Sequence, residues 1–532
     1  MKEVTDLQKH KKYLFLILLI STLVRGFLAW ILEFGNDEVY YRTYALYPDW
    51  SHFDHPPMVG FVIQLFSLNL LLDTEFFIRL GSVIFGTLNT WMVYKITSRI
   101  GTPGAGLIAS MLYTTSIYAF IICGVFILPD TPQQLFWLIS LYGLVEALPG
   151  KQPTAYTKKM LLLSAFALGA GLLSKYTTLF LYGGVGIYVL LYNRIWLKTL
   201  QFWLFAVIPL LFFIPVISWN ITNDFISFTF QGERVVATGQ GIRFDYFAQE
   251  FFGQILYNNP FNWVLIVVSL IRIFRKPLGL FPNGMLPFLL LTSVPLIVSF
   301  LAFSLFQQTL PHWTAPAYTH LIILAAVFMA NVKVSHYQIP RSIWVSTALL
   351  IIVLVLALVQ IKFGVLLHDK STDPQRKGKA DFSLDMYGWG QLGEKFATVY
   401  HKAQQTGQMQ NNAPIVSFRW FPAANLDFYV AKPLGTHLLA VGSLERIHKY
   451  AWINEARGGF KLGSDAWFIS SSRDYKDPRE ILSQHYQSIE QADTLAIVRN
   501  RDTVMYYYTF RLKNLLIIPE NELQKTRTTS QN

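Results

Sequence analysis

Residues 13–32 read YLFLILLISTLVRGFLAWIL, and residues 37–58 follow closely as DEVYYRTYALYPDWSHFDHPPM. The first stretch is apolar except for Arg25, a few small residues and two hydroxyls. Its length matches the roughly 20 residues that an α-helix needs to cross a hydrocarbon layer about 30 Å thick. The second stretch concentrates carboxylates and histidines among aromatic side chains and ends at two prolines. Together they predict a membrane helix followed by a loop that is rich in ionisable groups.

The composition of the whole chain indicates that lipid surrounds much of it. Of the 532 residues, 53% are hydrophobic and only 14% are charged, whereas soluble proteins carry about 25% charged residues. Further apolar runs lie at residues 76–98, 103–121, 126–146, 160–175, 177–192, 200–219, 260–273, 284–305, 313–331 and 342–366. The pattern predicts a polytopic α-helical membrane protein with about 11–13 transmembrane helices.

The basic residues are distributed as in a membrane protein of defined orientation. The formal net charge is +12, but Lys and Arg gather in short connections at residues 95–102, 147–159, 193–199, 272–283 and 332–341. Cytoplasmic loops are enriched in Lys and Arg, so these connections are expected inside and the loops 33–75, 220–259 and 306–312 outside. The same placement argues against a nucleic-acid partner. It predicts a multi-pass membrane protein whose loops 33–75, 220–259 and 306–312 face the extracytoplasmic side.

The character of the chain changes after the last apolar run. We expect a transmembrane domain over residues 1–366, a polar linker over 367–390 and a soluble α/β domain over 391–532. Within the last part, residues 391–405 have a helical pattern, and residues 413–418, 466–471, 494–499 and 503–512 have strand patterns. An odd number of spans places this small domain on the outside.

Ionisable side chains are concentrated in four segments on the predicted outer side. These segments contribute Asp37, Glu38, His52, Asp54, His55, Asp130, Lys175, Arg234 and His312. Ionisable groups at membrane depth are costly and are functional by default, although a carboxylate at a helix end, such as Asp37, can simply mark the interface. Because neighbours on a helix diverge by about 100°, Asp37 and Glu38 cannot both face one point.

The segment HFDH, residues 52–55, has three interpretations. Its histidines and Asp54 could bind a divalent metal ion, but the sequence assigns no further ligand, and no cofactor is certain. The same residues could instead contact the acceptor, or form only a turn before Pro56 and Pro57. The sequence leaves these alternatives open.

Lys175 lies in a short turn on the predicted outer side, where the loop bias disfavours a cation. A phosphate partner would explain its position, and a side chain that reaches from the interface toward water is the alternative. Carboxylates, cations and aromatic groups at a membrane surface suit a reaction on a lipid-linked phosphate. A carboxylate can deprotonate a hydroxyl acceptor, and cations or a metal ion can stabilise the departing phosphate.

The motifs DEVYY, DWSHFDHPPM, LPDTPQQLFW, LLSKYT, PVISWNITNDFISFTFQ and HWTAPAY occur in this order. They resemble the lipid-sugar-dependent glycosyltransferases of the GT-C superfamily, specifically family 39. That family includes the protein O-mannosyltransferases and the bacterial aminoarabinose transferases of lipid A. The resemblance covers about residues 10–330 and is most specific in the first loop and around Asp130.

The resemblance implies inverting transfer of a hexosyl or pentosyl unit from a polyprenyl-phosphate carrier to a lipid, glycan or protein acceptor. It implies Asp37 as the preferred catalytic carboxylate, with Asp130 sharing that role and Glu38 in support. It assigns the donor phosphate to Lys175, and to Arg234 and His312 by their loops alone. Asp54 and His55, with His52 beside them, match an acidic–basic pair that contacts the acceptor or a metal ion; relatives have Glu-Lys there.

A transporter or flippase of lipid-linked sugars is the alternative function. It predicts ionisable residues deep within the spans and two related halves of the chain. The sequence shows few of the former and no internal repeat, and it contains no ATP-binding motif. These features favour an enzyme that draws its energy from an activated lipid donor.

Overall fold

The computed structural model describes residues 2–234, 241–275, 279–332, 340–367, 369 and 371–520. The helices up to residue 363 are α1 (Lys2–Ile31), α2 (Asn36–Leu46), α3 (Met58–Phe66), α4 (Glu75–Ile100), α5 (Pro103–Thr114), α6 (Asp130–Ala147), α7 (Ala155–Leu172), α8 (Leu179–Tyr192), α9 (Leu200–Thr222), α10 (Ile226–Glu233), α11 (Phe244–Tyr257), α12 (Pro260–Arg275), α13 (Met285–Leu291), α14 (Val294–Phe303), α15 (Ala315–Val332) and α16 (Arg341–Phe363). Parts of the predicted loops, linker and C-terminal domain, at residues 235–240, 276–278, 333–339, 368, 370 and 521–532, lie outside the described residues.

Each predicted apolar run overlaps a helix or a pair of helices, so the fold class is confirmed. Within the described ranges, six helices are long and apolar enough to cross a membrane on their own, or seven if the bent pair α11–α12 counts as one span. This number is smaller than the predicted one for a physical reason. Helices α5 and α8 have only 12 and 14 residues, and α6 and α7 begin with polar residues.

Helices α6 and α7 show how polar groups are accommodated inside the helical part. The Ser140 hydroxyl donates to the Ser164 carbonyl oxygen at 3.2 Å, and the Ser164 hydroxyl donates to the Ser140 carbonyl oxygen at 3.0 Å. A Cβ atom on Gly143 would lie 2.3 Å from the Ser164 hydroxyl oxygen. Small residues allow membrane helices to approach this closely, and the contact therefore fixes the α6–α7 pair. Two candidate site residues lie at the ends of this pair.

The C-terminal part is a five-stranded sheet with helices. Its strands are β1 (Ile415–Ser417), β2 (Leu438–Ala440), β3 (Ala466–Ser471), β4 (Tyr486–Arg499) and β5 (Asp502–Leu515), and its helices are α17 (Trp389–Gln405), α18 (Trp420–Leu426), α19 (Leu444–Ile447), α20 (Tyr450–Ala456) and α21 (Arg479–Leu482). The strand order is β2-β1-β3-β5-β4. Strand β1 is parallel to both β2 and β3, whereas β5 is antiparallel to both β3 and β4.

The sequence patterns predicted most of this sheet. The predicted helix at 391–405 is α17, and the predicted strands at 413–418, 466–471, 494–499 and 503–512 are β1, β3, the second half of β4, and β5. Strand β2 and the first half of β4 were missed. β2 has only three residues, and the first half of β4 lies in an edge strand with many exposed polar side chains, so neither has a strong alternation of apolar and polar residues.

The chain divides into two compact units, and the division does not follow the order of the sequence. The first unit contains Met1–Ile31 and Pro48–Ile352, and the second contains Leu32–Tyr47 and Val353–Asn532. Helix α2, at the beginning of the first predicted outer loop, therefore belongs to the same unit as the sheet. The predicted boundaries at 366 and 390 stay a prediction.

Several contacts hold α2 within the second unit. The ring of Tyr40 lies 5.0 Å from the ring of Trp420 between centroids. At the end of α2, the Tyr47 hydroxyl accepts a hydrogen bond from Arg457 Nε at 2.9 Å. The same guanidinium group donates to both carboxylate oxygens of Asp427, at 3.0 and 2.8 Å. A paired and largely buried arginine thus fixes the end of α2.

Candidate active site

The HFDH segment forms a buried turn in the first unit. The His52 backbone N–H donates to the His55 carbonyl oxygen at 3.1 Å and closes the turn. The Gln231 side-chain amide, from α10, donates to the Asp54 carbonyl oxygen. The three ionisable residues of the turn are 2%, 7% and 7% exposed in sequence order. Burial of ionisable groups costs free energy, so a buried turn of this composition is a candidate functional segment.

Asp130 is the centre of a group of polar side chains. Lys175 Nζ donates to Asp130 Oδ2 at 2.8 Å, and the two side chains are only 5% and 3% exposed. The Tyr118 hydroxyl donates to Asp130 Oδ1 at 3.4 Å, and His312 Nε2 lies 4.0 Å from Asp130 Oδ2. Three segments that are distant in sequence therefore meet at one carboxylate, and the prediction had named three of these four residues.

Two cations of this group, Lys175 and Arg234, contact the ring of one tryptophan, Trp313. Lys175 Nζ and the guanidinium carbon of Arg234 each lie 5.8 Å from the centroid of the Trp313 ring. The same guanidinium group lies 4.3 Å from the centroid of the Phe230 ring. Cation–π contacts at these distances are attractive, and they leave the N–H groups at the edge of the guanidinium plane available to an anion. Trp313 was not among the predicted site residues, although it follows His312 directly in the HWTAPAY motif.

His55 belongs electrostatically to the same group. Burial, the largest influence, lowers the pKa of His55 to about 4. Asp54 opposes this effect, and the nearby cations Lys175 and Arg234 reinforce it. His55 is therefore neutral at pH 7, unlike the lysine that relatives are expected to carry in this position. A neutral imidazole can donate one hydrogen bond and accept one, but it adds no positive charge.

Asp37 and Glu38 lie in the other unit, at the beginning of α2. The Glu38 carboxylate oxygen Oε2 accepts a hydrogen bond from the Gly35 backbone N–H at 3.0 Å and caps the helix. Its side chain is buried, whereas that of Asp37 is exposed. Adjacent carboxylates thus have different surroundings, as their separation around the helix predicts.

The histidines and Asp54 of the HFDH turn were also candidate metal ligands. Among the residues that the structure describes, no group of three or more His, Cys, Asp and Glu side chains is placed to hold a metal ion. Within those residues, the turn does not form such a group.

Comparisons with known proteins agree with this architecture. Residues 54–219 match the family described as dolichyl-phosphate-mannose-protein mannosyltransferase. No curated protein matches the sequence. ArnT from Cupriavidus metallidurans, in a crystal structure with bound undecaprenyl phosphate, is similar with a TM-score of 0.60 and 15% identity over 94% of this chain and 97% of that chain. Its apo form gives 0.58 and 15% over 93% and 97%.

A match to the protein O-mannosyltransferase Pmt1-Pmt2 complex of S. cerevisiae, bound to the sugar donor, covers 46% of this chain and 37% of that chain, with 20% identity and a TM-score of 0.33. The fold defined by the similarity to ArnT is that of the GT-C membrane glycosyltransferases. The chain thus has the fold of ArnT, and its residues 54–219 carry the sequence pattern of the mannosyltransferase family model. The resemblance that the sequence motifs indicated is confirmed.

Proposed function

We propose that this membrane protein transfers a hexosyl or pentosyl unit from a polyprenyl-phosphate carrier to an acceptor on the outer face of the cytoplasmic membrane, with inversion. The observation that carries the proposal is the meeting of Lys175 and Arg234 on the ring of Trp313, beside a buried carboxylate. Two cations near one aromatic ring form a site for a phosphate group, and ArnT, which has the same fold, was crystallised with undecaprenyl phosphate.

In the proposed reaction, the bond between the anomeric carbon and the phosphate oxygen breaks, and its electron pair goes to the phosphate. One of the three N–H groups of the Lys175 ammonium donates to Asp130, and the other two are available to the phosphate oxygens. The guanidinium of Arg234 can add a bidentate contact. Both groups stabilise the charge that grows on the leaving phosphate, and His312 lies close to the same carboxylate.

The acceptor oxygen forms the new bond to the anomeric carbon and gives its proton to a carboxylate. We propose Asp37 for this general-base role, because it matches the acidic residue of the family motif and its side chain is exposed. Asp130 is engaged by Lys175 and serves to orient that ammonium. The HFDH turn, with His52, Asp54 and the neutral His55, is proposed to contact the acceptor, which is a lipid, a glycan or a protein.

The test is a detergent assay with a polyprenyl-phosphate-linked sugar and candidate acceptors, analysed by mass spectrometry. An enzyme forms a covalently glycosylated product, whereas a transporter or flippase only relocates the lipid. Asp37→Asn should abolish transfer in a protein that still folds. Asp245→Asn, which alters an exposed aspartate paired with Arg243, is the matched control and should keep its activity. Transfer by Asp37→Asn at the unaltered rate would refute the assignment of the base.

A further inference from the structure

Helix α6 is enclosed by its neighbours and shows only a narrow face to its surroundings. It packs against both α4 and α7, and all but three of its 18 residues are buried. The three that are partly exposed are Phe136, Ile139 and Tyr142. Residues three apart lie on one face of a helix, so these side chains form a single line. The line leads toward Glu146 in the last turn of α6.

Exposed apolar side chains flank this line on both neighbouring helices. On α4 they are Ile84, Leu88 and Trp91, and on α7 they are Leu163 and Phe166. Helix α4 is long and apolar enough to cross a membrane, so the apolar side chains exposed on it face hydrocarbon. The narrow face of α6 and the two flanking rows together form a shallow apolar groove, called here the α4–α7 groove.

The groove ends at cations that surround one buried carboxylate. Arg99, in the last turn of α4, donates to Glu146 through Nε and, at 3.3 Å, through Nη2. Lys151 Nζ, shortly after α6, donates to Glu146 Oε2 at 3.4 Å. The Glu146 side chain is only 1% exposed, whereas those of Arg99 and Lys151 are 59% and 35% exposed. The carboxylate therefore holds two cations in place and leaves part of each open to a second anion.

Lys95 adds a third cation at the same end of the groove. It lies one helical turn before Arg99, and its Nζ is 5.0 Å from the centroid of the Trp91 ring and 4.3 Å from that of the Tyr142 ring. In the described part of the chain, no carboxylate lies within 4 Å of its ammonium. Three cations thus face one carboxylate. The cation cluster of Lys95, Arg99 and Lys151 carries an excess of positive charge.

The order of side chains along the groove matches the layers of a membrane leaflet. The apolar rows give way to the rings of Trp91 and Tyr142, and the cation cluster follows. Tyr156 of α7, which is 52% exposed, lies near Glu146 at the same level. Tryptophan and tyrosine are enriched at the boundary between hydrocarbon and head groups. Basic pockets between membrane helices on the cytoplasmic side bind anionic head groups, and the connections 95–102 and 147–159 are expected on that side.

We propose that the α4–α7 groove and the cation cluster bind an anionic phospholipid, with an acyl chain along the groove and the head-group phosphate on Lys95 and Arg99. Charge complementarity selects the head group, because a zwitterionic lipid brings a cation of its own to a cluster that already has excess positive charge. The site contains none of the residues assigned to the transfer reaction, so the inference does not rest on that reaction.

The experiment measures lipid binding to the full chain in detergent micelles by native mass spectrometry. Delipidated protein is titrated with dioleoyl phosphatidylglycerol and, separately, with dioleoyl phosphatidylcholine, which has the same acyl chains. Each cation near a membrane surface strengthens the binding of an anionic lipid roughly fivefold. The unaltered protein should therefore bind phosphatidylglycerol at least about fivefold more tightly than phosphatidylcholine. Lys95→Gln should weaken the binding of phosphatidylglycerol roughly fivefold and leave that of phosphatidylcholine unchanged.

Lys95 is the residue to change because its removal leaves no carboxylate without a partner, so the variant should fold as the unaltered protein does. Lys95→Arg keeps the positive charge and should keep the preference for phosphatidylglycerol. Arg275→Gln is the matched control, since it removes an exposed cation at the end of α12, another predicted inner position. It should leave both affinities unchanged.

Four results would overturn the inference. They are equal affinities of the unaltered protein for the two lipids, an unchanged preference in Lys95→Gln, and an equal loss in Arg275→Gln, which would reflect the overall positive charge rather than a site. The fourth is displacement of phosphatidylglycerol by an excess of glycerol 3-phosphate, which carries the charge without acyl chains and should not compete. None of these measurements involves a transfer step, so their failure is distinguishable from failure of the transfer assay.

Discussion

The buried pair formed by Asp130 and Lys175 offers the sharpest test of the candidate site. Asp130→Asn leaves the Lys175 ammonium without its negative partner, and Lys175→Met leaves the Asp130 carboxylate without its positive partner. The pair is 2.8 Å apart with both side chains at most 5% exposed. At this separation and an effective dielectric constant of about 20, the attraction between the two charges is roughly 6 kcal/mol.

Desolvation offsets most of that attraction, so the pair as a whole adds little to stability, but removal of one partner is costly. We expect each single variant to lose about 3–5 kcal/mol of unfolding free energy. The double variant, which carries no uncompensated charge, should lose less than either single variant. The measurement is equilibrium unfolding of the micellar protein, with Arg243→Gln, in an exposed ion pair, as the control without a measurable effect.

The same variants separate the roles of the two residues in the reaction. Lys175→Met removes a charge-assisted hydrogen bond to the donor phosphate, worth about 1.5–3 kcal/mol, and should lower kcat/KM by roughly 10–150-fold. Asp130→Asn keeps the ammonium and should raise the donor KM less than tenfold. A double variant as unstable as the sum of the two singles, about 6 kcal/mol or more, would show that the residues are not coupled and would refute the reasoning.

Three further predictions address other parts of the molecule. Gly124→Ala should lower the unfolding free energy by about 1–3 kcal/mol, because the added Cβ atom would lie 2.5 Å from the guanidinium of the buried arginine of α1. Gly183→Ala is the control: the added Cβ atom would meet open space, and the variant should be neutral. Asp427→Asn should lose about 3 kcal/mol, because Arg457 then stays buried without its partner; thermal unfolding measures both effects. Since the pKa of His55 is about 4 when folded and 6.5 when unfolded, stability should be full above pH 6.5 and fall by about 3 kcal/mol as the pH falls to 4. His55→Gln should abolish this part of the pH dependence, and an unchanged profile would contradict the burial argument.

The sequence predicted the secondary structure well because the signals are local. An apolar run of 20 residues has few alternatives to a helix, and β3 was predicted with its observed bounds because its apolar residues are contiguous. The polar half of β4 lacks such a signal. Among the residues that the structure describes, fewer helices than predicted are long and apolar enough to cross a membrane on their own, since runs such as the one that contains α8 are apolar but fold into a helix of only 14 residues.

The sequence also named most of the residues that lie around Asp130, but not how they are arranged. Asp130, Lys175 and His312 were selected as ionisable groups on the predicted outer side, at the start of a span, in a tight turn and in a loop, and the fold brings them together. Trp313 was missed because an aromatic residue at a membrane boundary is common, and nothing in the local pattern indicates that two cations lie on its ring.

The sequence alone thus determined the membrane class and the helical runs, and it carried the motifs of the resemblance and most of the candidate site residues. These properties depend on the hydrophobicity and the chemistry of neighbouring residues, which are local. Only the tertiary structure decided that Lys175 is paired with Asp130, that burial keeps His55 neutral, and that α2 with Asp37 belongs to the unit of the C-terminal sheet. These properties depend on which distant segments exclude water from one another, and no periodicity along the chain records that.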